Sequence, residues 1–386
     1  MFQIQTLNKI SPIGMELFDR SKYTWSEDMA DPDAILVRSA AMHEMEMPKS
    51  LKAIARAGAG VNNIPVDRCT EEGIVVFNTP GANANAVKEM VILGLLMASR
   101  KVSASMEWVK TLKGSGADVS KLVEKGKSQF VGPEIAGKKL GVIGLGAIGI
   151  LVANAAKSLG MTVYGYDPYL SVDAAWGLSR SIKHATSLKE IYENCDYITL
   201  HIPANKETKG SINAQTIAMM KPGVRIINFA RGELVDTADL LAALDDKHVK
   251  CYVTDFPADE MLDHPGVVAF PHLGASTPES EDNCARMAAE QVIDFLETGN
   301  IKNSVNLPNA SMPKTNLPRV CIIHRNVKAI ISQVTAVLSV LNIENMLNKS
   351  KGDYAYTMID VDDEVWEDTL AKVTAIDGVI RAFVIQ

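Results

Sequence analysis

From Lys139 onward, short β-branched runs alternate with amphipathic stretches. KKLGVIG, TVYGY, DYITL, VRIINF and VKCYVTDF are compact apolar runs, while Ala147–Leu159 and Thr237–Leu244 between them carry the spacing of one-sided helices. Continuous apolar strands separated by helices predict βαβ units and a parallel sheet covered on both faces. The first hundred residues repeat the theme more weakly, with strand candidates FQIQT, AILV, LKAIARA and IVVF, and predict a second, smaller α/β unit. The polar, glycine-dotted stretch from Ser103 to Gly137, with its lone Trp108, fits neither period and reads as an arm or surface excursion. NLPNASMPKTNLP carries three prolines in a polar setting and reads as an extended, exposed linker. Beyond it, RVCIIH, Val327–Leu341, NIENML, YAYTMIDV, Glu364–Ile376 and GVIRAFVI predict a βαββαβ unit of ferredoxin-like pattern.

Composition agrees with several packed domains: 386 residues, 47% hydrophobic and 22% charged. Lys plus Arg is 39 against 46 Asp plus Glu, a formal charge of −7, so neither nucleic acid nor an anionic membrane is an expected partner. An anionic ligand must find a local basic cluster. Cys69, Cys195, Cys251, Cys284 and Cys321 are scattered and odd in number, which argues against a disulfide framework or a metal site and for a reducing cytoplasm. MFQIQTLNKI lacks the basic flank and apolar core of a signal peptide. Val91–Ala98, bracketed by Lys88, Glu89, Arg100 and Lys101, is far too short to span a bilayer, so a soluble protein is expected.

The clearest chemical signal is Gly144-Leu145-Gly146-Ala147-Ile148-Gly149, which follows the strand candidate LGVI and opens a helix-forming run. In such a turn the first glycine allows the tight bend, the second lets a pyrophosphate approach the backbone, and the third lets helix and strand pack closely. Helix N-terminal amides then receive the phosphates. Asp167 ends the next strand candidate, where a carboxylate binds ribose hydroxyls and repels a 2′-phosphate. The expected cofactor is therefore NAD rather than NADP.

Two further strand ends carry candidate chemistry. Arg231, after VRIINF, offers a guanidinium that binds a carboxylate bidentately and orients a 2-hydroxy or 2-oxo acid toward the nicotinamide. His272, after VVAF and before a glycine, offers an imidazole that takes the hydroxyl proton as hydride leaves the carbon. A neighbouring carboxylate would stabilise the imidazolium, and TDFPADE supplies Asp259 and Glu260. His201, in HIPAN, reads as cofactor-lining backbone.

Taken together, GLGAIG with Asp167, HIPANKETKG, INFARGELVD and FPHLGAST resemble, in order and spacing, the D-isomer-specific 2-hydroxyacid dehydrogenases. ILVRSA, RAGAGVNNIPVD and VFNTPGANANAV resemble the substrate domain of the phosphoglycerate-oxidising members, and the C-terminal unit resembles an ACT domain. The resemblance implies two doubly wound α/β domains, one flavodoxin-like and one Rossmann, plus the ferredoxin-like unit. It divides the chain into a substrate domain (1–98 and 276–306), an NAD domain (99–275), a linker (307–318) and a regulatory domain (319–386). It implies a helix from Ser276 to Leu296 that returns to the substrate domain, and catalysis in the cleft between domains. Its functional residues fall on Arg231 as carboxylate binder and His272 as acid/base, with Asp259 favoured by register, or Glu260, as the carboxylate beside His272. NAD would be held by Gly144, Gly146, Ala147, Ile148, Gly149, Asp167, His201, Pro203, Ala230, Arg231, Asp255, His272 and Gly274. Substrate would be held by Arg38, Ser39, the backbone from Gly58 through Ala59 and Gly60 to Val61, Asn83, Lys88, Arg231 and His272. A serine effector would meet His324, Asn326 and Asn342, although Lys328-Ala329 replaces the Pro-Gly usual there. The implied activity is NAD-dependent oxidation of D-3-phosphoglycerate to 3-phosphohydroxypyruvate, the first step of serine synthesis, by a homodimer or homotetramer. The alternatives are hydroxypyruvate or glyoxylate reduction, or an NADH-sensing corepressor.

Overall fold

The computed structural model describes the backbone of residues 1–386 and every side chain except that of Asp173. It resolves into two compact units, Met1–Asn83 with Pro278–Gln386, and Ala84–Thr277.

The first unit begins with β1 (Phe2–Leu7), β2 (Tyr23–Ser26), β3 (Ala34–Val37), β4 (Ala53–Arg56) and β5 (Val75–Phe77), all parallel in the order β2-β1-β3-β4-β5. This is the flavodoxin-like order, with its reversal between β1 and β3. Val75–Phe77 and Ala34–Val37 are buried throughout because both sheet faces are covered. One face packs on the helix Pro278–Thr298, whose Cys284, Ala285, Ala288, Ala289, Val292, Phe295 and Leu296 form an apolar stripe. The other packs on Met42, Leu51, Ile64 and Cys69.

The same unit continues into β13 (Arg319–Arg325), β14 (Ile343–Lys351), β15 (Tyr354–Val361) and β16 (Val379–Ile385), antiparallel in the order β14-β15-β13-β16. With helices Ile330–Val337 and Glu367–Thr374 this is the expected βαββαβ arrangement. Period-two alternation divides its strands between two cores. Val320, Ile322, Ile359 and Val361 face the helices, while Cys321, Ile323, Tyr356 and Met358 join the core that contains Phe295 and Phe77.

Part of the segment expected to be an exposed linker joins that core. Leu307, Ala310 and Met312 are buried, Ile301 and Ala310 exchange both backbone hydrogen bonds, and Asn306 accepts from Val76 N–H while donating to Ile74 O. Its prolines punctuate a fixed path rather than a free one. Arg319 ties the junction further. Its guanidinium makes a two-pronged ion pair with Asp360 (2.6 and 3.0 Å) and donates to Thr298 O and Pro313 O.

The second unit is a seven-stranded parallel sheet ordered β12-β11-β10-β9-β6-β7-β8. Its strands are β6 (Lys139–Ile143), β7 (Thr162–Tyr166), β8 (Lys183–His184), β9 (Tyr197–Leu200), β10 (Val224–Asn228), β11 (Val249–Thr254) and β12 (Val267–Ala269). The order is that of a dinucleotide-binding sheet, with its reversal between β6 and β9. The helix Ala84–Ser99 packs here, with Val91 and Leu95 buried against Leu140, Ile227 and Val253. The contact boundary therefore falls at 83/84 rather than 98/99, because apolar residues on this helix pair with the second sheet. Helices Val102–Lys110 and Val119–Gly126 bury none of their residues, and Trp108 rests on Phe130 with ring centroids 5.3 Å apart.

Candidate active site

The glycine loop leaves β6 at the reversal of the sheet, where helix Ala147–Ser158 begins. Gly144 has φ 92°, and a Cβ there would lie 2.5 Å from His201 O. A Cβ on Gly149 would lie 1.9 Å from Gly144 O. A Cβ on Gly146, by contrast, would meet no atom of the other described residues within 4 Å, so the loop opens there on space that suits a phosphate group beside the first helical amides. Asp167, just past β7, accepts hydrogen bonds from Leu145 N–H and Tyr169 N–H, each 2.8 Å, which fixes its carboxylate against the glycine loop. His201 contacts Thr199 Oγ1 at 3.0 Å, and burial pushes its pKa down to about 3, so its imidazole is neutral. Pro203 O accepts from Thr208 Oγ1–H (2.5 Å), which shapes the loop after β9.

The second cluster lies past β10, β11 and β12. Asn228, fully buried, donates from Nδ2 to Arg231 O at 2.8 Å, and its Oδ1 accepts from Ala230 N–H and Arg231 N–H. Thr254 Oγ1 donates to Asn228 O and accepts from Phe256 N–H. These bonds hold the Arg231 loop and the Phe256 loop against each other. The exposed guanidinium of Arg231 makes one internal bond, to Ala230 O at 2.6 Å. The exposed ring of His272 lies beside Phe256 with centroids 4.6 Å apart.

Asp255 links the two. It is 2% exposed, and neither carboxylate oxygen has a hydrogen-bond partner among the described residues. Burial raises its pKa, and the charges of His272 and Arg231 act against that rise. The backbone N–H groups of Gly274 and of Asp255 itself also favour ionisation without reaching hydrogen-bond geometry.

Asp259 and Glu260 lie exposed in a single turn, Asp259–Met261, and no hydrogen bond or ion pair joins either to His272 among the described residues. Asp255, expected against the cofactor, is the buried carboxylate at the start of that loop.

The sign of the Asp255 shift gives a stability prediction. A carboxyl group whose folded pKa is raised stabilises the fold at low pH and loses that contribution as pH climbs from the unfolded value through the folded one. Asp255→Asn should therefore raise the melting temperature of the ligand-free protein at pH 8, with the gain shrinking toward pH 4. Melting curves of both proteins across that range check it, and a lower melting temperature at pH 8 would show that the ionised form is stabilising.

In the first unit the expected substrate groups sit at carboxyl ends of parallel strands. Arg38 follows β3, and its Nη2 meets Glu281 Oε1 at 2.5 Å. Asn8 Oδ1 accepts from Ser39 N–H and Ala40 N–H, while Asn78 Nδ2 donates to Ala59 O at 2.7 Å and Thr79 N–H to Gly58 O. Those bonds shape the backbone from Gly58 to Val61, including Gly60. Arg56, the last residue of β4, was missed by the sequence reading. Its Nε donates to Arg38 O, and its guanidinium covers Gly58, where a Cβ would lie 1.9 Å from Nη1. An arginine ending a strand beside a glycine-rich turn was the available signal. Asn83 is half-buried just before the helix Ala84–Ser99, and Lys88 on that helix faces Glu89 at 3.7 Å.

The expected effector trio does not assemble within one chain. His324 is buried with both ring nitrogens occupied, by Arg325 O and Thr357 Oγ1. Asn326 bonds Gly352 O at one end of β15, and Asn342 lies beside Asp362 at the other. Ala329 stands at φ 64°, a left-handed position that glycine adopts without strain.

Residues 92–274 match the NAD-binding domain of the D-isomer-specific 2-hydroxyacid dehydrogenases. That matched part of the chain belongs to the family. It is similar to the D-3-phosphoglycerate dehydrogenase of Bacillus subtilis, 34% identical over 84% of this chain and 62% of the relative. The human D-3-phosphoglycerate dehydrogenase is 32% identical over 78% of this chain and 57% of its own length. The chain thus spans about three-fifths of these relatives. Among solved structures, the NAD+-bound 3-phosphoglycerate dehydrogenase of Entamoeba histolytica aligns with TM-score 0.61 and 26% identity, covering 79% of this chain and 98% of that one. D-2-hydroxyisocaproate dehydrogenase shares the fold at TM-score 0.63 and 23% identity. A dinucleotide cradle within an NAD-binding family domain makes NAD the cofactor of this member of the family. Among the described residues, no helix is long and apolar enough to cross a membrane, and no His, Cys, Asp and Glu cluster suits a metal.

Proposed function

We propose that the chain oxidises D-3-phosphoglycerate to 3-phosphohydroxypyruvate with NAD as hydride acceptor. The observation that carries this reading is the placement of Arg231, the buried Asp255 and His272 just past the carboxyl ends of the neighbouring strands β10, β11 and β12 in the NAD-binding unit. In it, the Arg231 fork holds the substrate carboxylate and presents the adjacent carbinol to His272. NAD supplies the hydride acceptor when it is bound. His272 takes the hydroxyl proton as the C–H bond breaks, and returns one in the reverse direction. Asp255, when ionised, stabilises the imidazolium so formed. The Gly144–Gly149 loop and Asp167 hold the dinucleotide. Arg38 holds the phosphate, which is what separates this substrate from unphosphorylated acids. The names of the sequence relatives support the phosphorylated substrate.

Arg231→Lys tests the carboxylate role, because a point charge cannot reproduce the two-pronged grip. KM for D-3-phosphoglycerate should rise about 10- to 100-fold, the worth of a charge-assisted bond, with the KM for NAD nearly unchanged. Unaltered steady-state kinetics would remove Arg231 from the site.

A further inference from the structure

Arg38 is already engaged in the ligand-free protein, and by an anion. Its Nη2 lies 2.5 Å from Glu281 Oε1, in the first turn of the helix Pro278–Thr298. We propose that Glu281 competes with the anionic end of the substrate for Arg38, and so sets both the affinity for a phosphorylated acid and the discrimination against weaker anions. The inference rests on the reading of Arg38 as the phosphate-binding residue.

The geometry is that of a displaceable partner. Both side chains are close to half exposed, 45% and 42%, so an incoming anion reaches the pair from solvent. The contact is a single N–H···O bond and leaves most of the guanidinium fork unused. The backbone around Arg38 is held fast, with its carbonyl accepting from Arg56 Nε and the next two N–H groups bound by Asn8 Oδ1. The guanidinium therefore changes partner without rebuilding the loop. On the other side, Ser11 Oγ donates to Asp282 Oδ1 at 2.5 Å and pins the turn that carries Glu281. A displaced Glu281 keeps favourable surroundings, since the positive end of a helix stabilises a carboxylate in its first turn.

Exchange then depends on what the ligand offers. A phosphate dianion takes two guanidinium donors at once with twice the charge, and wins against one carboxylate oxygen. A hydroxymethyl group gains nothing from displacing Glu281. The competing carboxylate thus lowers affinity for every ligand that uses Arg38, and a dianion tolerates that cost best.

The full-length chain, assayed with NAD for KM toward D-3-phosphoglycerate and D-glycerate, tests this with E281Q, R38A and the double variant. Glutamine keeps the shape and removes the charge. E281Q should lower KM for the phosphorylated acid about two- to five-fold relative to that for D-glycerate, the range of an exposed ion pair. R38A should raise the phosphorylated KM, and the E281Q effect should vanish on the R38A background. If R38A raises KM but E281Q leaves the ratio of the two KM values unchanged, or acts equally without Arg38, the competition is refuted while the role of Arg38 stands. If R38A itself leaves the phosphorylated KM unchanged, the phosphate-binding reading and the inference fall together.

Discussion

His272→Ala should lower kcat with D-3-phosphoglycerate about 100- to 10,000-fold, the usual worth of a positioned proton carrier. NADH binding, followed by its fluorescence, should stay nearly intact. The separation follows from what His272 touches. Its ring is exposed and lies beside Phe256, while the dinucleotide cradle is built from Gly144, Gly146, Gly149 and Asp167 after other strands. Truncation therefore removes the proton acceptor and leaves the cradle. Loss of NADH binding together with turnover would make His272 a structural residue.

Arg319→Ala should destabilise the protein by about 3–5 kcal/mol, the cost of leaving one partner of a buried ion pair behind. Arg319 is 3% exposed and Asp360 0%, and the same guanidinium serves the carbonyls of Thr298 and Pro313. Without it, the one side-chain donor still facing Asp360 among the described residues is Asn345 Nδ2 at 3.4 Å. The damage should spread beyond the C-terminal sheet. Tyr356 donates to Gly299 O, Phe295 packs edge-on against Phe383, and Arg381 donates to the carbonyls of Leu51 and Lys49, so both sheets of this unit share one core. Urea unfolding followed by circular dichroism measures the loss. The double change Arg319→Met with Asp360→Leu should recover much of it, since an apolar pair of similar volume replaces the charges. A single variant within 1 kcal/mol of the parent would show that the pair contributes little.

Much of this architecture was legible in the pattern of apolar runs. β6, β7, β9, β10 and β11 fall on the runs identified from periodicity, because strands buried on both faces must be apolar throughout. Tyr23–Ser26 and Lys183–His184 escaped notice because they are short outer strands with exposed positions, which need no such run. The buried positions within 307–318, expected as an exposed linker, escaped notice for a different reason. Proline and asparagine report local backbone preference, whereas the burial of Leu307 and Met312 is decided by distant partners such as Phe295 and Phe77. In the site, a motif fixed Gly144 to Gly149 and Asp167, since backbone geometry there demands glycine at named positions. The carboxylate beside His272 was not fixed in that way. Register pointed to Asp259, which lies exposed in the loop leaving β11, while Asp255 at the start of that loop is buried. The glutamate facing Arg38 comes from a helix more than two hundred residues away in sequence, a pairing that only the folded chain reveals.

The most direct test of the central claim, that a guanidinium and an imidazole act together on a 2-hydroxy acid in an NAD-dependent site, is a turnover screen. NADH absorbance would be followed with D- and L-2-hydroxy acids, each with and without a 3-phosphate. NAD reduction should occur with the D-isomers and be most efficient with D-3-phosphoglycerate, and it should be absent with the L-isomers. No reduction with any D-2-hydroxy acid, under conditions where the protein binds NADH, would contradict the account.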